Sequence, residues 1–329
     1  MTDIRTLTGA INSLATGFIN SQILFAANDA NIFTLLESPR TAQDVAGVLC
    51  WPPRTTRMLL DGLVALELVE KADGRYCNAE VASVCLVPGK PAYQGNIVRH
   101  ISNTAPLWSV LGEVLASGVP AKSFGEDRSP DALRSFILGM ADIGKMSARE
   151  MLEALDLSPY SRMLDVGGGP GTYAITFLQA HPAMRATIFD RPEVLPIARE
   201  QVEAAGLAER FTYQPGDLTV DALGDGYDLI LVSNIIHSYG PEKNRDLMGR
   251  CFRSLVSGGT LIVKDFLTDD DRSGPAFSLL FALRMLVSNG EGDTYSFGEV
   301  AEWTQEAGFT SGRLIDLSPQ SRLWIAVKP

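Results

Sequence analysis

Met163-Leu164-Asp165-Val166-Gly167-Gly168-Gly169-Pro170-Gly171 is an apolar run that ends in a glycine-rich turn, and from Thr172 the apolar residues return at helical spacing. A strand passing into a helix through such a turn is the opening of a βαβ unit. Its glycines permit a tight reversal and let the backbone approach a ligand where a Cβ would collide. Taken alone, the turn fits several nucleotides, a dinucleotide included.

Downstream, strands alternate with helices. Strand candidates fall at 163–166, 186–190, 211–215, 229–233 and 260–265, with shorter ones near 311–317 and 321–327. Helices are predicted near 172–179, 194–205, 241–255 and 297–307. This alternation predicts a Rossmann-like, doubly wound α/β domain with a mostly parallel sheet over 158–329. In such sheets ligands bind over the carboxyl ends of the strands. Asp190, in Phe189-Asp190-Arg191-Pro192, ends the second strand about twenty residues past the glycines, where its carboxylate can accept both hydroxyls of a ribose. Gly216-Asp217-Leu218 closes the third strand, so Asp217 can accept from an adenine amino group while Leu218 packs on the ring. No Lys follows Gly171, which excludes a mononucleotide P-loop, and a Gly-x-Gly-x-x-Gly dinucleotide fingerprint has Thr172 at its sixth position.

Upstream, residues 1–100 read as a winged helix. Apolar residues recur at helical spacing from Ile11 to Leu36, with Phe18, Ile19, Ile23, Leu24, Ile32, Phe33 and Leu36 offered to buried faces. Thr41 to Asp44 caps a helix, Pro52-Pro53 starts another, and Asp73-Gly74 is a hairpin turn. Its second helix carries Arg54 and Arg57, so a DNA reader is an alternative. The formal net charge of −11 over 329 residues opposes it, because phosphate binding rests on clustered Lys and Arg. Four cysteines without C-x-x-C spacing are read as reduced core residues, and no metal is expected. With no signal-peptide pattern and no apolar run of about twenty residues, the protein is predicted to be cytoplasmic and not membrane-bound.

Residues 101–157 are predicted to be mainly helical, supplying a substrate-pocket region. Phe136, Met140, Ile143 and Met146 form a methionine-containing stripe, and Phe277, Phe281 and Met285, four residues apart, share a second helical face ahead of Asn289. Together they predict a pocket for a flat, apolar molecule, with Asn289 or Tyr239 offering a hydrogen bond.

The order Asp165 to Gly171, Phe189 to Val194, Gly216-Asp217-Leu218 and Asn234-Ile235-Ile236-His237 resembles the class I S-adenosylmethionine-dependent O-methyltransferases of the plant caffeate and bacterial natural-product type. The resemblance covers nearly the whole chain. It implies S-adenosyl-L-methionine as cofactor and S-adenosyl-L-homocysteine as product, with Gly167 and Gly169 along the methionine part, Asp190 on the ribose, and Asp217 and Leu218 about the adenine. Asp165, Arg191 and Ser233 complete the implied cofactor set. His237 would be the general base that deprotonates a substrate hydroxyl, and Asp265, in Val263-Lys264-Asp265-Phe266, would orient it. The winged helix would be a homodimerisation module, without nucleic acid.

Departures accompany the likeness. Ser238-Tyr239 follow His237 where the family has Asp-Trp, Ser233 stands where it often has Lys or Arg, and its second glutamate is missing near Thr294, with Glu291 and Asp293 only as neighbours. Transfer to nitrogen or carbon, or chemistry that uses the cofactor without donating its methyl, stay open as alternatives.

Overall fold

A computed structural model describes residues 3–120 and 129–329 and divides into two compact units, Met1–Ala105 and Pro106–Pro329. The first is built from α1 (Ile4–Asp29), α2 (Ile32–Leu35), β1 (Arg40–Thr41), α3 (Ala42–Leu49), α4 (Pro53–Ala65), β2 (Val69–Ala72), β3 (Arg75–Asn78), α5 (Glu80–Cys85) and α6 (Gly95–Thr104). A capping box between Thr41 and Asp44 satisfies the first turn of α3. Asp73 and Gly74 both take positive φ, the geometry of the tight turn that joins β2 to β3. A third strand, β1, which the sequence did not reveal, pairs with β3 and gives the order β1-β3-β2. Ile32, Phe33, Leu36, Val45, Leu60, Leu63 and Tyr76 fill the core. Beside α4, Asp61 binds Arg57 at 2.6 Å and Lys71 at 2.7 Å, so both cations are already engaged.

Two expectations about burial fail in this unit. Phe18 and Ile19 are exposed, together with Ile4, Leu7, Ile11 and Leu14, because α1 extends several turns past the core it caps with Phe25. The cysteines are free, but only Cys251 is buried: Cys50 is exposed in the left-handed C-cap of α3, and Cys77 and Cys85 are half-buried.

The second unit runs through α7 (Leu111–Ser117), α8 (Pro130–Ala154), β4 (Arg162–Val166), α9 (Thr172–Ala180), β5 (Arg185–Asp190), α10 (Leu195–Ala204) and β6 (Phe211–Pro215). It continues through β7 (Tyr227–Ser233), α11 (Pro241–Ser254), β8 (Leu255–Asp265), α12 (Ala276–Ser288), α13 (Phe297–Glu306), β9 (Thr310–Ser318) and β10 (Ser321–Val327). The seven strands lie in the order β6-β5-β4-β7-β8-β10-β9. The first five are parallel, and β10 inserts antiparallel between β8 and β9. β4 and β7 are buried on both faces, which is why Met163-Leu164 and Leu229-Ile230-Leu231-Val232 read as continuous apolar runs. One face of the sheet packs through Met163, Ile188, Leu229 and Ile262 on residues of α8, α9 and α10. The other packs through Leu164, Ile230 and Val263 on α11 and α13. Strand order reverses between β4 and β7, beside the glycine turn, and in open α/β sheets such a switch point is where ligands bind. Among the described residues, no helix is long and apolar enough to cross a membrane.

Candidate functional site

The turn after β4 is shaped by φ values of +64° at Gly167 and +55° at Gly169. A Cβ at Gly167 would lie 2.4 Å from Ile235 Cδ1, whereas one at Gly169 would meet nothing within 4 Å. Gly167 takes a φ that glycine adopts most readily, with the tip of Ile235 close beside it, and Gly169, although buried, faces open space where a Cβ would point. The Gly169 N–H donates to Asp190 Oδ2 at 2.7 Å, and the Arg191 N–H donates to Asp190 Oδ1 at 2.7 Å, so Asp190 also holds the turn. Burial raises its carboxyl above the ordinary carboxylate value against those two bonds. Asp165 is placed differently from the contact residue the sequence suggested. It is fully buried beneath the turn, where a Gly168 Cβ would come 2.9 Å from its Cγ. Burial first, then the charge of Asp190, push the Asp165 carboxyl up to about 7, opposed by the Ala174 N–H.

Asp217 and Leu218 sit at the end of β6, with Leu218 packed close to Gly167. Thr219 donates to Asp217 Oδ1 from both its N–H, at 2.8 Å, and its hydroxyl, at 2.7 Å, holding that carboxyl below the usual range. The loop is pinned by Arg250, which donates to the carbonyls of Asp221 and Leu218 and pairs with Asp246 at 2.7 Å. Arg191 lies on the surface in an ion pair with Glu193 at 3.4 Å. Ser233 ends β7 with its Oγ buried and without a partner among the described residues.

His237 occupies a single 3-10 turn, Ile236–Ser238, past the end of β7. Its Nδ1 lies 2.8 Å from Asp265 Oδ1 at the end of β8. Its ring stacks on Phe266, with centroids 5.6 Å apart, and meets Phe281 edge-on at 5.0 Å. Asp265 is buried. Burial would raise its carboxyl, but the charge and hydrogen bond of His237, the Phe266 N–H and Lys264 together hold it below the ordinary value. The turn itself is clamped. Buried Asn244 donates to the carbonyls of Ile236 at 2.9 Å and Tyr239 at 3.0 Å, the Tyr295 hydroxyl donates to the Tyr239 carbonyl at 2.5 Å, and the Asp293 N–H donates to the His237 carbonyl at 3.0 Å.

A family model described as an O-methyltransferase domain matches residues 109–310, and one described as an O-methyltransferase dimerisation domain matches residues 12–88. The chain belongs to the O-methyltransferase family. A 3-hydroxy-5-methyl-1-naphthoate 3-O-methyltransferase from Streptomyces sahachiroi is 34% identical to it, over 93% of this chain and 90% of that protein. The tetracenomycin polyketide synthesis 8-O-methyl transferase TcmO of Streptomyces glaucescens is also 34% identical, over 98% and 97%. The crystal structure of human N-acetylserotonin methyltransferase in complex with SAM superposes with a TM-score of 0.90 at 27% identity, covering 99% of each chain.

In this O-methyltransferase the proposed wall residues separate into two groups. Phe281 touches His237, and Phe266 and Phe277 pack against Phe281, so α12 does bring an aromatic surface to the histidine. Met285 is buried one turn further along. The α8 stripe does not assemble as expected: Phe136 joins the Leu133, Ile137, Val194 and Ile197 cluster, Met140 is only half-buried, Ile143 is exposed and Met146 is 69% exposed. The inward face of α8 is instead Ile137, Ala141, Gly144, Ala148 and Met151, whose small members admit Thr172 and Tyr173 of α9. Size misled here, because a close helix contact is made by the smallest residues.

Asn289 is drawn into the clamp as well, donating to the Ser238 carbonyl at 2.7 Å while its Oδ1 accepts from the Glu291 N–H at 3.1 Å. Glu291 pairs with Lys243 at 2.6 Å, and Asp293 reaches the histidine turn only through its backbone. Asn244, Arg250 and Phe266 escaped notice in the sequence. Asn244 had a signal, since it lies on the same buried face of α11 as Leu247, Met248 and Cys251. Among the described residues, no group of His, Cys, Asp and Glu is arranged to hold a metal ion.

Proposed function

We propose that this O-methyltransferase transfers the methyl group of S-adenosyl-L-methionine to a hydroxyl of a small aromatic metabolite in secondary-metabolite biosynthesis, with His237 as general base. The observation that carries the reading is His237 held through Nδ1 by Asp265 while its ring lies against Phe266 and Phe281. An ionised carboxylate only accepts, so the ring proton sits on Nδ1 and the lone pair on Nε2. Nε2 takes the hydroxyl proton as the acceptor oxygen becomes a nucleophile, and Asp265 stabilises the imidazolium. Relatives named for a hydroxynaphthoate and for tetracenomycin polyketide synthesis support an aromatic acceptor, with Phe281 and Met285 as its wall.

The cleft suits the cofactor on three counts. Open space at Gly169 admits a ligand against the backbone, Asp190 keeps accepting capacity for a ribose, and the buried Tyr173 Oη and Ser233 Oγ lack protein partners among the described residues. Bound there, S-adenosyl-L-methionine supplies an activated methyl group. Asp190 accepts from the ribose hydroxyls, Asp217 and Leu218 bracket the base, and Gly167 and Gly169 line the amino-acid tail. Asp165 acts through the turn above it. Two copies associate through the N-terminal dimerisation domain, whose α1 leaves an apolar stripe exposed. The test is His237→Ala: kcat falls at least about 100-fold, while S-adenosyl-L-homocysteine binds within threefold of wild type by calorimetry. Unchanged turnover at saturating acceptor would sink the mechanism.

A further inference from the structure

Lys264 is a buried cation outside the machinery assigned so far. It is the penultimate residue of β8, 3% exposed, and its register partner in β7 is Ser233. Its Nζ donates to Asn234 Oδ1 at 3.0 Å and lies 5.8 Å from the centroid of the Tyr173 ring and 5.4 Å from that of Phe266. An ammonium can donate three hydrogen bonds, and Asn234 is its one acceptor among the described residues. No carboxylate among them pairs with it within 4.0 Å, although Asp265 feels its charge.

Burying an ammonium without an anion costs several kcal/mol, so a site built this way calls for one. Two further buried groups point the same way. Tyr173 is 8% exposed with an unpartnered Oη, and the Ser233 hydroxyl is buried without a partner among the described residues. Chain and sheet bring them close to the glycine turn: Tyr173 is two residues past Gly171 in the first turn of α9, Ser233 is the register partner of Lys264, and Asn234, bonded to Lys264, precedes Ile235, whose side chain lies beside Gly167. Aromatic rings and hydroxyls cannot neutralise a cation. A small carboxylate can.

We propose that Lys264 binds the carboxylate of the cofactor's amino-acid tail, with the Tyr173 and Ser233 hydroxyls completing the pocket, a role that rests on the S-adenosyl-L-methionine reading above. The carboxylate is the only anionic group on that cofactor. The ammonium of Lys264 keeps its bond to Asn234 and directs its remaining protons at the tail.

The experiment is a ligand-and-mutant cycle read by calorimetry. Its probes are S-adenosyl-L-homocysteine, S-adenosyl-3-thiopropylamine, which lacks only the carboxylate, and 5′-methylthioadenosine, which lacks the whole amino-acid end. In wild type, loss of the carboxylate weakens binding about 10- to 100-fold, the range for a charged hydrogen bond. In Lys264→Met the same deletion costs less than threefold, and 5′-methylthioadenosine binds as in wild type, which reports an intact nucleoside site. Lys264→Gln, which can still bond to Asn234, behaves like the Met variant and covers a failure of that variant to fold. A carboxylate effect as large in the variants as in wild type overturns the proposal, as does equal weakening of all three ligands. Wild-type protein that binds none of them overturns the cofactor reading itself.

Discussion

Substitution of Asp265 by Asn tests the catalytic proposal most directly, because it preserves shape and removes one charge. Asp265 Oδ1 accepts from the Phe266 N–H at 2.8 Å and lies 2.8 Å from His237 Nδ1, whereas Oδ2 meets only the His237 N–H, at 3.4 Å. An amide settles with its oxygen at the Oδ1 position, since the reverse would face an NH2 toward the Phe266 N–H. The tautomer then survives, and what disappears is the negative charge beside the imidazolium formed as the proton moves. Two unit charges about 4 Å apart at an effective dielectric near 20 interact by about 4 kcal/mol, equivalent to about 1,000-fold in rate. A proton half transferred in the transition state collects about 2 kcal/mol, or about 30-fold. We therefore expect kcat to fall between about 30- and 1,000-fold, with S-adenosyl-L-homocysteine affinity within threefold of wild type. Because the native carboxyl is held below the ordinary range, its contribution to stability is present above the unfolded value and lost only as pH falls through the folded one. An assay between pH 6 and 9 thus keeps it charged. Product formation by mass spectrometry with a hydroxylated aromatic acid as acceptor supplies kcat. A kcat within threefold of wild type would refute the reasoning, and a parallel loss of cofactor affinity would reassign Asp265 to the architecture of the cleft.

The remaining expectations concern the turn, the core and the dimer. Asp190→Ala removes both the acceptor for the Gly169 N–H and the proposed ribose contact, so S-adenosyl-L-homocysteine should bind at least about 100-fold more weakly by calorimetry; tenfold or less would place the ribose elsewhere. Asp165, with its carboxyl raised to about 7, stabilises the fold fully only below its unfolded value and loses that contribution as pH rises toward 7. Asp165→Asn should accordingly be more stable than wild type by about 1.5 kcal/mol at pH 5 and about 4 kcal/mol at pH 8 in urea titrations. A difference independent of pH would contradict the buried charge. Leu14→Asp combined with Phe18→Asp places two charges on the exposed stripe of α1 and should convert a dimer to monomer by light scattering, with the fold of the first unit retained by circular dichroism. A dimer of undiminished affinity would move the interface off that helix.

Periodicity and turn chemistry alone determined much of this protein. The apolar strand running into Gly167–Gly171, with Asp190 and Asp217 at successive strand ends, specified a parallel sheet and led to the proposal of a nucleoside site, because strand, turn and helix signals are local and glycine has few substitutes where φ is positive. His237 and Asp265 were singled out by the family resemblance, not by any local pattern, and they lie just past and at the ends of the neighbouring strands β7 and β8. Contacts between elements distant in sequence were beyond such reading. Only the packed structure showed Asp165 under the turn, α8 turning its small residues inward and its Met146 outward, and Asn289 joining Asn244 in a clamp on the histidine turn. Lys264 belongs with these, since a lysine in a strand gives no local sign of burial. Its environment is set by which strand lies beside it and which helix covers it, and both are properties of the assembled sheet.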